Sequence, residues 1–377
     1  MSKVMVLGAG DLGRRVFHEL AHGPGDRHVR LVGREEDPTL RAANLSRFSA
    51  LQRGYHPTVD HATTDLNDID RTAECIAAFD PDVLFLAASF QSWWVITTLP
   101  GESFQRLRAA NYGPWLPMHL VPVHKAMQAV RRSGTSAVVV NAAYPDAVHP
   151  ILTSVGLSPD VGIGNVANNV PGIRVAAADL LGVPVPEVDV RLVAHHYVSH
   201  RLSRAGDPGR AGMALTIGHG GQDLTDRVDT ASLLKRLPLE YRRTGGMPGQ
   251  AMTAASALSV LVPLADRRDA LVHAPGPGGL VGGYPVAIEG GRIRTALPDS
   301  VSLEEAVAVN LSGQVHDGID AIDADGTTHF EPSSMAVLTA ELGYECRTMR
   351  LDEAEGRAAE IRERFEVYRG RAVASAS

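Results

Sequence analysis

A glycine-rich segment near the start of the chain has the residue types and spacing of a phosphate-binding loop. It reads Gly8-Ala9-Gly10-Asp11-Leu12-Gly13, after an apolar run at Val4–Leu7 and before a helical pattern at Leu12–Ala21. In such a loop the first glycine allows a tight turn, the second lets backbone approach a pyrophosphate, and the third lets helix and strand pack closely. The N–H groups that open the helix then face the phosphates. We therefore predict that a dinucleotide binds to Gly8, Gly10, Asp11, Leu12 and Gly13.

The cofactor preference depends on residues roughly 20 positions further on, where an acidic residue would bind ribose hydroxyls. The chain has Gly33-Arg34 there, followed by Glu35 and Glu36. A guanidinium binds a 2′-phosphate through a charge-assisted fork. We therefore predict that Gly33 and Arg34 bind the cofactor and that NADP(H) is preferred. NAD(H) is the alternative if a glutamate serves the ribose instead.

The first half of the chain alternates strand-like and helical patterns, which is typical of βαβ units and a parallel sheet. Strands are predicted at Val4–Leu7, Val29–Val32, Val83–Ala87 and Ala137–Val140, and helices at Leu12–Ala21, Asp70–Phe79 and Phe104–Ser133. Ligands bind such a sheet beyond the carboxyl ends of its strands. One crevice is expected to collect the segments that fall there, namely Gly8–Gly13, Gly33–Arg34, Ala88–Gln91 and Asn141.

The second half, from about Pro145 onward, has antiparallel signals instead. Strands at Val188–His200 and Met213–His219 flank a turn sequence, and two further hairpins are predicted at 285–296 and 319–330. Ala251–Leu264 and Asp352–Tyr368 have helical patterns. The predicted fold is α/β, with a Rossmann-type parallel-sheet domain over residues 1–145. An α+β domain with antiparallel strands follows over residues 146–377, including an extra C-terminal segment from about residue 311.

Composition excludes several classes of function. The formal charge is −7 and the pI is near 6.1, with no basic block, so nucleic acid is not an expected partner. No stretch approaches the roughly 18 apolar residues of a membrane span, and the first residues run directly into a strand, so we expect a cytoplasmic protein. Cys75 and Cys346 give neither a disulfide framework nor paired metal-ligand spacing, and no metal site is expected.

The order of these motifs resembles the lactate/malate dehydrogenase superfamily over roughly residues 3–295. The resemblance is carried by the glycine loop and by Leu40–Ser49, Arg108–Asn111, Val138–Asp146, Ile163–Val183 and Val190–His200. It implies a lactate/malate dehydrogenase-like fold and a hydride transfer between a nicotinamide and the carbonyl carbon of a small-molecule substrate. It also implies a homodimer or a homotetramer.

The resemblance further implies roles for individual residues. Asn141 matches the residue that contacts the nicotinamide region and the substrate, and Ala88 and Asn111 fall in cofactor-binding segments. His196 matches the histidine that exchanges a proton with the substrate oxygen, a task that suits a group titrating near neutrality. The aspartate that pairs with this histidine becomes Asn169, which would orient the ring but not stabilise its charged form.

The substrate contacts depart most from the family. Gly172 stands where an arginine clamps the substrate carboxylate, and the loop at Ser89–Gly101 lacks the arginine that polarises the carbonyl. Ordinary lactate or malate is therefore not the expected substrate, and we expect a specialised hydroxyl or carbonyl compound. The candidate substrate contacts are Gln91, Trp94, His195, Arg174 and Gln250, with Trp93, Thr253, Arg201 and Arg204 as further candidates.

Two other functions remain open. Saccharopine- and opine-type dehydrogenases also pair a glycine-loop domain with an antiparallel domain, and they act on C–N substrates. A nucleotide-binding sensor or scaffold without redox chemistry would also explain the departures at Asn169 and Gly172.

Overall fold

A six-stranded parallel sheet forms the centre of the first part of the molecule. The computed structural model describes residues 1–374. The sheet has the strand order β3-β2-β1-β4-β5-β6, which is the doubly wound Rossmann order. Its strands are β1 (Ser2–Leu7), β2 (Arg27–Gly33), β3 (Thr58–Thr63), β4 (Val83–Leu86), β5 (Val138–Asn141) and β6 (Val161–Gly162). The predicted Rossmann-type sheet is thereby confirmed.

Six helices connect these strands. They are α1 (Asp11–His22), α2 (Glu36–Gln52), α3 (Ile69–Phe79), α4 (Gly101–Arg108), α5 (Pro117–Ser133) and α6 (Pro145–Thr153). The single helix predicted over 104–133 is wrong, because the chain is interrupted between α4 and α5. Asn111 there has a φ of +57°, and Gly113–Trp115 forms a short 3-10 turn around Pro114.

Three small antiparallel sheets make up the β structure of the second part. The first contains β7 (Val188–Val193), β8 (Ala214–His219) and β9 (Gln222–Asp223), and the second contains β10 (Ala270–Pro275), β11 (Gly283–Glu289) and β12 (Arg292–Thr295). The third contains β13 (Ile319–Ile322), β14 (Thr328–Phe330) and β15 (Thr348–Met349). The antiparallel pairs β7–β8, β11–β12 and β13–β14 confirm the predicted pairings.

Seven further helices pack around these sheets. They are α7 (Val170–Leu181), α8 (His196–Ala205), α9 (Thr230–Leu239), α10 (Gln250–Asp266), α11 (Leu303–Asp317), α12 (Pro332–Leu342) and α13 (Ala354–Ala374). No helix among residues 1–374 is long and apolar enough to cross a membrane.

The strand predicted over Val188–His200 is wrong in its second half. The strand ends at Val193, and helix α8 begins at His196. His195 precedes the helix, and its Nδ1 accepts a hydrogen bond from the backbone N–H of Tyr197 at 3.3 Å. Side chains four residues apart lie on one face of a helix, so His196 and His200 become neighbours instead of being separated as on a strand.

The C-terminal segment packs back onto the first part of the molecule. Ile361 and Phe365 of α13 are fully buried in the same apolar cluster as α3 and α5. The ring of Phe365 meets Trp115 edge-on at a centroid distance of 5.5 Å. The parallel sheet also extends beyond residue 145, because β6 is its edge strand. Residues from both ends of the chain therefore share one core.

Candidate active site

A cavity of about 370 Å³ extends from the glycine loop to helix α8. Leu12 lines it at the start of α1, and Ala88 lines it just beyond β4. At the other end lie imidazoles, tyrosines and arginines. We call this space the histidine cavity, and its chemically active lining residues are Tyr112, His119, Tyr144, His196, His200, Arg204, Arg243 and Gln250.

A second cavity of about 550 Å³ lies beside the glycine loop. We call it the loop cavity. The carboxyl ends of β1, β2, β3 and β4 line it through Gly8–Gly10, Gly33–Arg34, Thr64–Asn67 and Ala87–Phe90. Ala88 lines both cavities, so the two spaces adjoin at the end of β4.

The glycine loop has the packing that its sequence predicts. Gly8 has a φ of +122°, and a Cβ there would lie 2.7 Å from the backbone of Ala87. A Cβ on Gly13 would lie 1.8 Å from the carbonyl oxygen of Gly8, so only glycine lets helix and strand approach this closely. A Cβ on Gly10 would meet no atom within 4 Å. Open space therefore faces the backbone at the one loop position where a ligand would approach.

His196 is held at both ring nitrogens. Its Nδ1 lies 2.8 Å from Oδ2 of Asp317, and its Nε2 lies 2.9 Å from Nε2 of His200. Its backbone N–H donates to Oδ1 of Asp146 at 2.9 Å. Asp317 is the last residue of α11, and its Oδ2 also accepts a hydrogen bond from the hydroxyl of Tyr144 at 2.8 Å. This arrangement fixes the orientation of the His196 ring.

The charge on this cluster follows from burial and pairing. Burial alone would lower the pKa of His196, but the negative charge of Asp317 and the hydrogen bond to it raise that pKa above its ordinary value. Burial opposes ionisation of Asp317 too, yet the charge of His196 and the hydrogen bond to it lower the pKa of Asp317 to about 2. Burial, followed by the charge of His196, lowers the pKa of His200. These directions favour a protonated His196 beside an ionised Asp317. The Nε2–H of His196 then donates to neutral His200.

Two tyrosines enclose His196. The ring centroids of Tyr112 and Tyr144 lie 4.7 Å and 5.5 Å from that of His196. The hydroxyl of Tyr112 lies 2.8 Å from Nε2 of His119, whose buried Nδ1 has no hydrogen-bond partner among the described residues. Tyr144 has a φ of +43°, a sparsely populated conformation for a residue with a side chain. This backbone strain orients the hydroxyl that contacts Asp317.

The histidine cavity is basic. Arg243 donates to Oδ1 of Asn169 at 3.2 Å, whereas Arg204 makes no hydrogen bond or ion pair with any residue that the structure describes. Within the same described residues, Asp11 is the one carboxylate in the lining, and Arg15 pairs with it at 3.1 Å. The cavity therefore suits a ligand with negative charge.

The structure brings a majority of the predicted cofactor residues to the two cavities. Asp11, Leu12 and Ala88 line the histidine cavity. Gly8, Gly10, Gly33 and Arg34 line the loop cavity, and Arg34 is exposed there. Gly13 lies behind the loop, packed against Gly8. Among the predicted catalytic and substrate residues, those that line the histidine cavity are His196, Gln250, Trp93, Thr253 and Arg204.

Two predicted cofactor residues lie elsewhere. Asn141 is fully buried, and its amide group bonds to both backbone groups of Ala143 and to Nε2 of His149. It therefore stabilises the connection from β5 to α6 and does not line either cavity. Asn111, which has a positive φ, donates to the hydroxyl of Ser334 on α12 at 3.0 Å.

Four of the predicted substrate contacts lie outside the histidine cavity. His195 is fully buried and caps α8, so it does not reach the cavity. Arg174 lies on α7 outside the lining, beside His273. Neither Gln91 nor Trp94 lines the histidine cavity. The neighbouring Trp93 does, and its indole N–H contacts Oε1 of Gln250 at 3.4 Å.

The predicted contact between Asn169 and His196 is wrong. The amide of Asn169 donates to the hydroxyl of Ser199 at 2.7 Å and accepts from Arg243. Asp317 occupies the position beside His196 instead. The sequence offers one signal for it, an acidic residue at the end of the Leu303–Asp317 helix, within the segment that extends beyond the family pattern. Tyr112, His119 and Tyr144 were also missed, since nothing in their local sequence indicates a site.

Among the comparisons with known proteins, the one with solved structures bears on the fold. No family model matches the sequence, and no curated protein matches it. Among solved structures, a malate dehydrogenase from Cryptosporidium parvum is 15% identical with a TM-score of 0.54, covering 82% of this chain and 95% of its own. A malate dehydrogenase from Plasmodium falciparum is 13% identical, with a TM-score of 0.55 and coverages of 90% and 100%.

A lactate dehydrogenase from Eimeria maxima, solved with NADH and oxamate, gives the same result. It is 14% identical with a TM-score of 0.55, covering 82% of this chain and 90% of its own. The similarity lies in the arrangement of strands and helices, since few residues are shared. The chain therefore has the fold of the lactate and malate dehydrogenases, in a strongly divergent sequence.

Proposed function

We propose that this chain is a nicotinamide-dependent oxidoreductase that prefers NADP(H) and acts on an anionic hydroxyl or carbonyl compound. One observation carries the proposal. His196, which is paired with Asp317, and the start of the glycine-loop helix line the same cavity. A proton-transfer group thus lies in the space that adjoins a dinucleotide-type loop, as a dehydrogenase requires. The fold shared with lactate and malate dehydrogenases supports this function.

The residues of the loop cavity fit a dinucleotide. The space in front of Gly10 is open, and the first turn of α1 offers unpaired N–H groups to a pyrophosphate. Arg34 has no hydrogen bond or ion pair within the described chain, so its guanidinium is available to a 2′-phosphate. When bound, the nicotinamide would supply or accept a hydride.

His196 handles the proton. The charge of Asp317 raises the pKa of His196, which keeps the imidazole protonated closer to neutral pH. In the reductive direction His196 gives up its proton on the Nε2 side, where the cavity and His200 lie. In the oxidative direction it takes that proton back. Tyr144 and Asp317 keep the ring oriented throughout.

The cations determine the substrate class. Arg204 and Arg243 replace the arginines that are absent at Gly172 and in the 89–101 loop. A carboxylate or phosphate on the substrate would be held by these two guanidinium groups. Trp93 and Gln250 form part of the wall, which suits a compound bulkier than lactate.

The non-catalytic alternative was motivated by the departures at Asn169 and Gly172. Asp317 supplies the acidic partner that Asn169 does not, which weakens the first of these two reasons. An amine-dependent reaction of the saccharopine or opine type is an outcome of the test below. Association into a homodimer or homotetramer stays a prediction.

The test is a turnover screen of the purified chain. Hydroxy and oxo acids are offered with each nicotinamide, with and without ammonium or amino acids, and the absorbance of the reduced cofactor is followed. We expect turnover in wild type, a loss of at least about 100-fold in His196→Gln, and unchanged turnover in the surface control His219→Gln. Equal turnover in wild type and His196→Gln would refute the role of His196. Failure of wild type to bind either nicotinamide would refute the function.

A further inference from the structure

The last helix of the chain reaches the loop cavity. Arg362 of α13 lines this cavity together with Gly8, Gly10 and Arg34, although α13 follows the antiparallel part of the molecule. A Rossmann sheet needs only its own connecting loops to form its ligand crevice. The presence of Arg362 there is therefore a feature of this chain's extra C-terminal segment.

Helix α13 is fixed firmly beside the cavity. Ala358, Ile361 and Phe365 form a fully buried stripe against the first part of the molecule. Lys125 of α5 lines the same cavity and bonds to Glu355 near the start of α13. Lys125 also donates to Oδ1 of Asn67, beyond the end of β3, at 2.8 Å. Arg362 follows Ile361 directly, so the packing of the stripe sets its position at the cavity edge.

The guanidinium of Arg362 has no acidic partner. Within residues 1–374 it makes no ion pair or hydrogen bond, and it lies over the ring of Phe90, 5.7 Å from the ring centroid. Such stacking orients a guanidinium without neutralising it. Arg34 is likewise unpaired on the same cavity. Two guanidinium groups that have no ion pair among the described residues therefore line one cavity, in which Glu35 and Asp65 are the acidic lining residues, and such groups suit a phosphate dianion.

We propose that Arg362 binds the 2′-phosphate of NADP(H) together with Arg34, so that the C-terminal segment forms part of the cofactor site. This inference rests on the proposed function, because it assumes that the loop cavity holds the adenosine half of the cofactor. It adds a second phosphate-binding residue, one that neither the glycine-loop motif nor the end of β2 contains. Charge-assisted hydrogen bonds from two arginines would then separate NADP(H) from NAD(H).

The test is calorimetric titration of the full chain with NADPH and with NADH. Arg362→Ala should weaken NADPH binding by about tenfold or more and change NADH binding by less than about twofold. Arg369→Ala is the matched control, because Arg369 lies on the same helix and pairs with Glu366 away from the cavity. It should bind both nucleotides as wild type does. Melting temperatures of the variants establish that α13 remains packed.

The outcomes separate this inference from the proposed function. If wild type binds NADPH and Arg362→Ala binds it equally well, the inference fails while the function stands. If Arg362→Ala weakens NADPH and NADH by the same factor, Arg362 does not read the 2′-phosphate and the inference fails. If wild type binds neither nucleotide, the proposed function fails first.

Discussion

The Nδ1 atom of His196 lies 2.8 Å from Oδ2 of Asp317, although 121 positions separate the two residues in the chain. The histidine opens α8, and the aspartate closes α11. The carboxylate that charges the imidazole therefore comes from a helix end and not from the segment around Asn169. The acidic partner of His196 thus lies on α11 and not beside Asn169, where the family resemblance places it.

Replacing Asp317 by Asn should lower the pKa of His196. The amide keeps a similar shape but lacks the negative charge that stabilises imidazolium, so the pKa of His196 is expected to fall. The measurement is an NMR titration of the histidine ring nitrogens in wild type and Asp317→Asn. Asp320→Asn, at an exposed position of β13, is the control and should leave the titration unchanged. An unaltered pKa in Asp317→Asn would show that the pair is not coupled.

Replacing Asn141 by Ala should destabilise the chain without weakening cofactor binding. The substitution leaves the buried backbone N–H of Ala143 and the Nε2 of His149 without partners, at an expected cost of about 2–4 kcal/mol. Chemical denaturation measures this free energy, and NADPH titration measures the affinity. Weakened NADPH binding at unchanged stability would instead support the nicotinamide contact expected from the family resemblance.

The chain should lose stability as the pH falls below about 6.5. Burial lowers the pKa of His119 and of His273 to about 3 and that of His149 to about 4, while each titrates near 6.5 when unfolded. Below pH 6.5 the unfolded chain therefore binds protons that the folded chain does not, and stability present above that pH is lost.

The pair of His196 and Asp317 does not cancel this effect. The raised pKa of His196 gives stability that is complete below about pH 6.5 and is lost at higher pH, and the lowered pKa of Asp317 matters only below about pH 4. Between these limits the contribution of the pair is constant. Melting temperatures at pH 6.5 and pH 4.5, both within this range, should differ by at least about 5 °C, with the lower value at pH 4.5. Equal values would contradict the assignment of neutral buried histidines.

Replacing Arg204 by Ala should raise the KM for the anionic substrate. The guanidinium has no partner in the described protein, so its removal costs a ligand contact and leaves no buried carboxylate unpaired. A rise in KM of about tenfold or more is expected, with unchanged affinity for NADPH. Arg210→Ala, at an exposed position outside the cavity lining, is the control. Steady-state kinetics on the acid identified by the turnover screen supply the measurement, and an unchanged KM would remove Arg204 from the site.

The features that the sequence predicted well are local. The glycine loop, the hairpin around Gly290 and the helix over 250–266 each depend on neighbouring residues, and each forms as expected. Strand β3 escaped prediction because Thr58–Thr63 lies at the sheet edge and is rich in polar residues. The start of α8 was missed because Val188–Val193 suggests a strand and nothing strongly marks its end.

The active-site partners could not be predicted in the same way. The contact between His196 and Asp317 depends on how α11 packs against α8, and no local spacing records that packing. Tyr144 owes its position to a left-handed turn that its sequence does not indicate. The family resemblance directed attention to Asn169, because the matching segment lies there, whereas the acidic partner of His196 is Asp317 on another helix. These contacts arise from the packing of helices that are distant in sequence, so the spacing of motifs could not predict them.

In the proposed function, a nicotinamide dinucleotide binds against the glycine loop and reaches the histidine cavity. The most direct test is a calorimetric titration of wild type and Gly10→Val with NADPH. Because a Cβ at Gly10 meets no protein atom within 4 Å, the valine should fill ligand space and leave the fold intact. We expect tight binding by wild type, a loss of at least about 100-fold in Gly10→Val and equal melting temperatures of the two proteins without nucleotide. Absence of binding by wild type, or equal binding by both proteins, would contradict it.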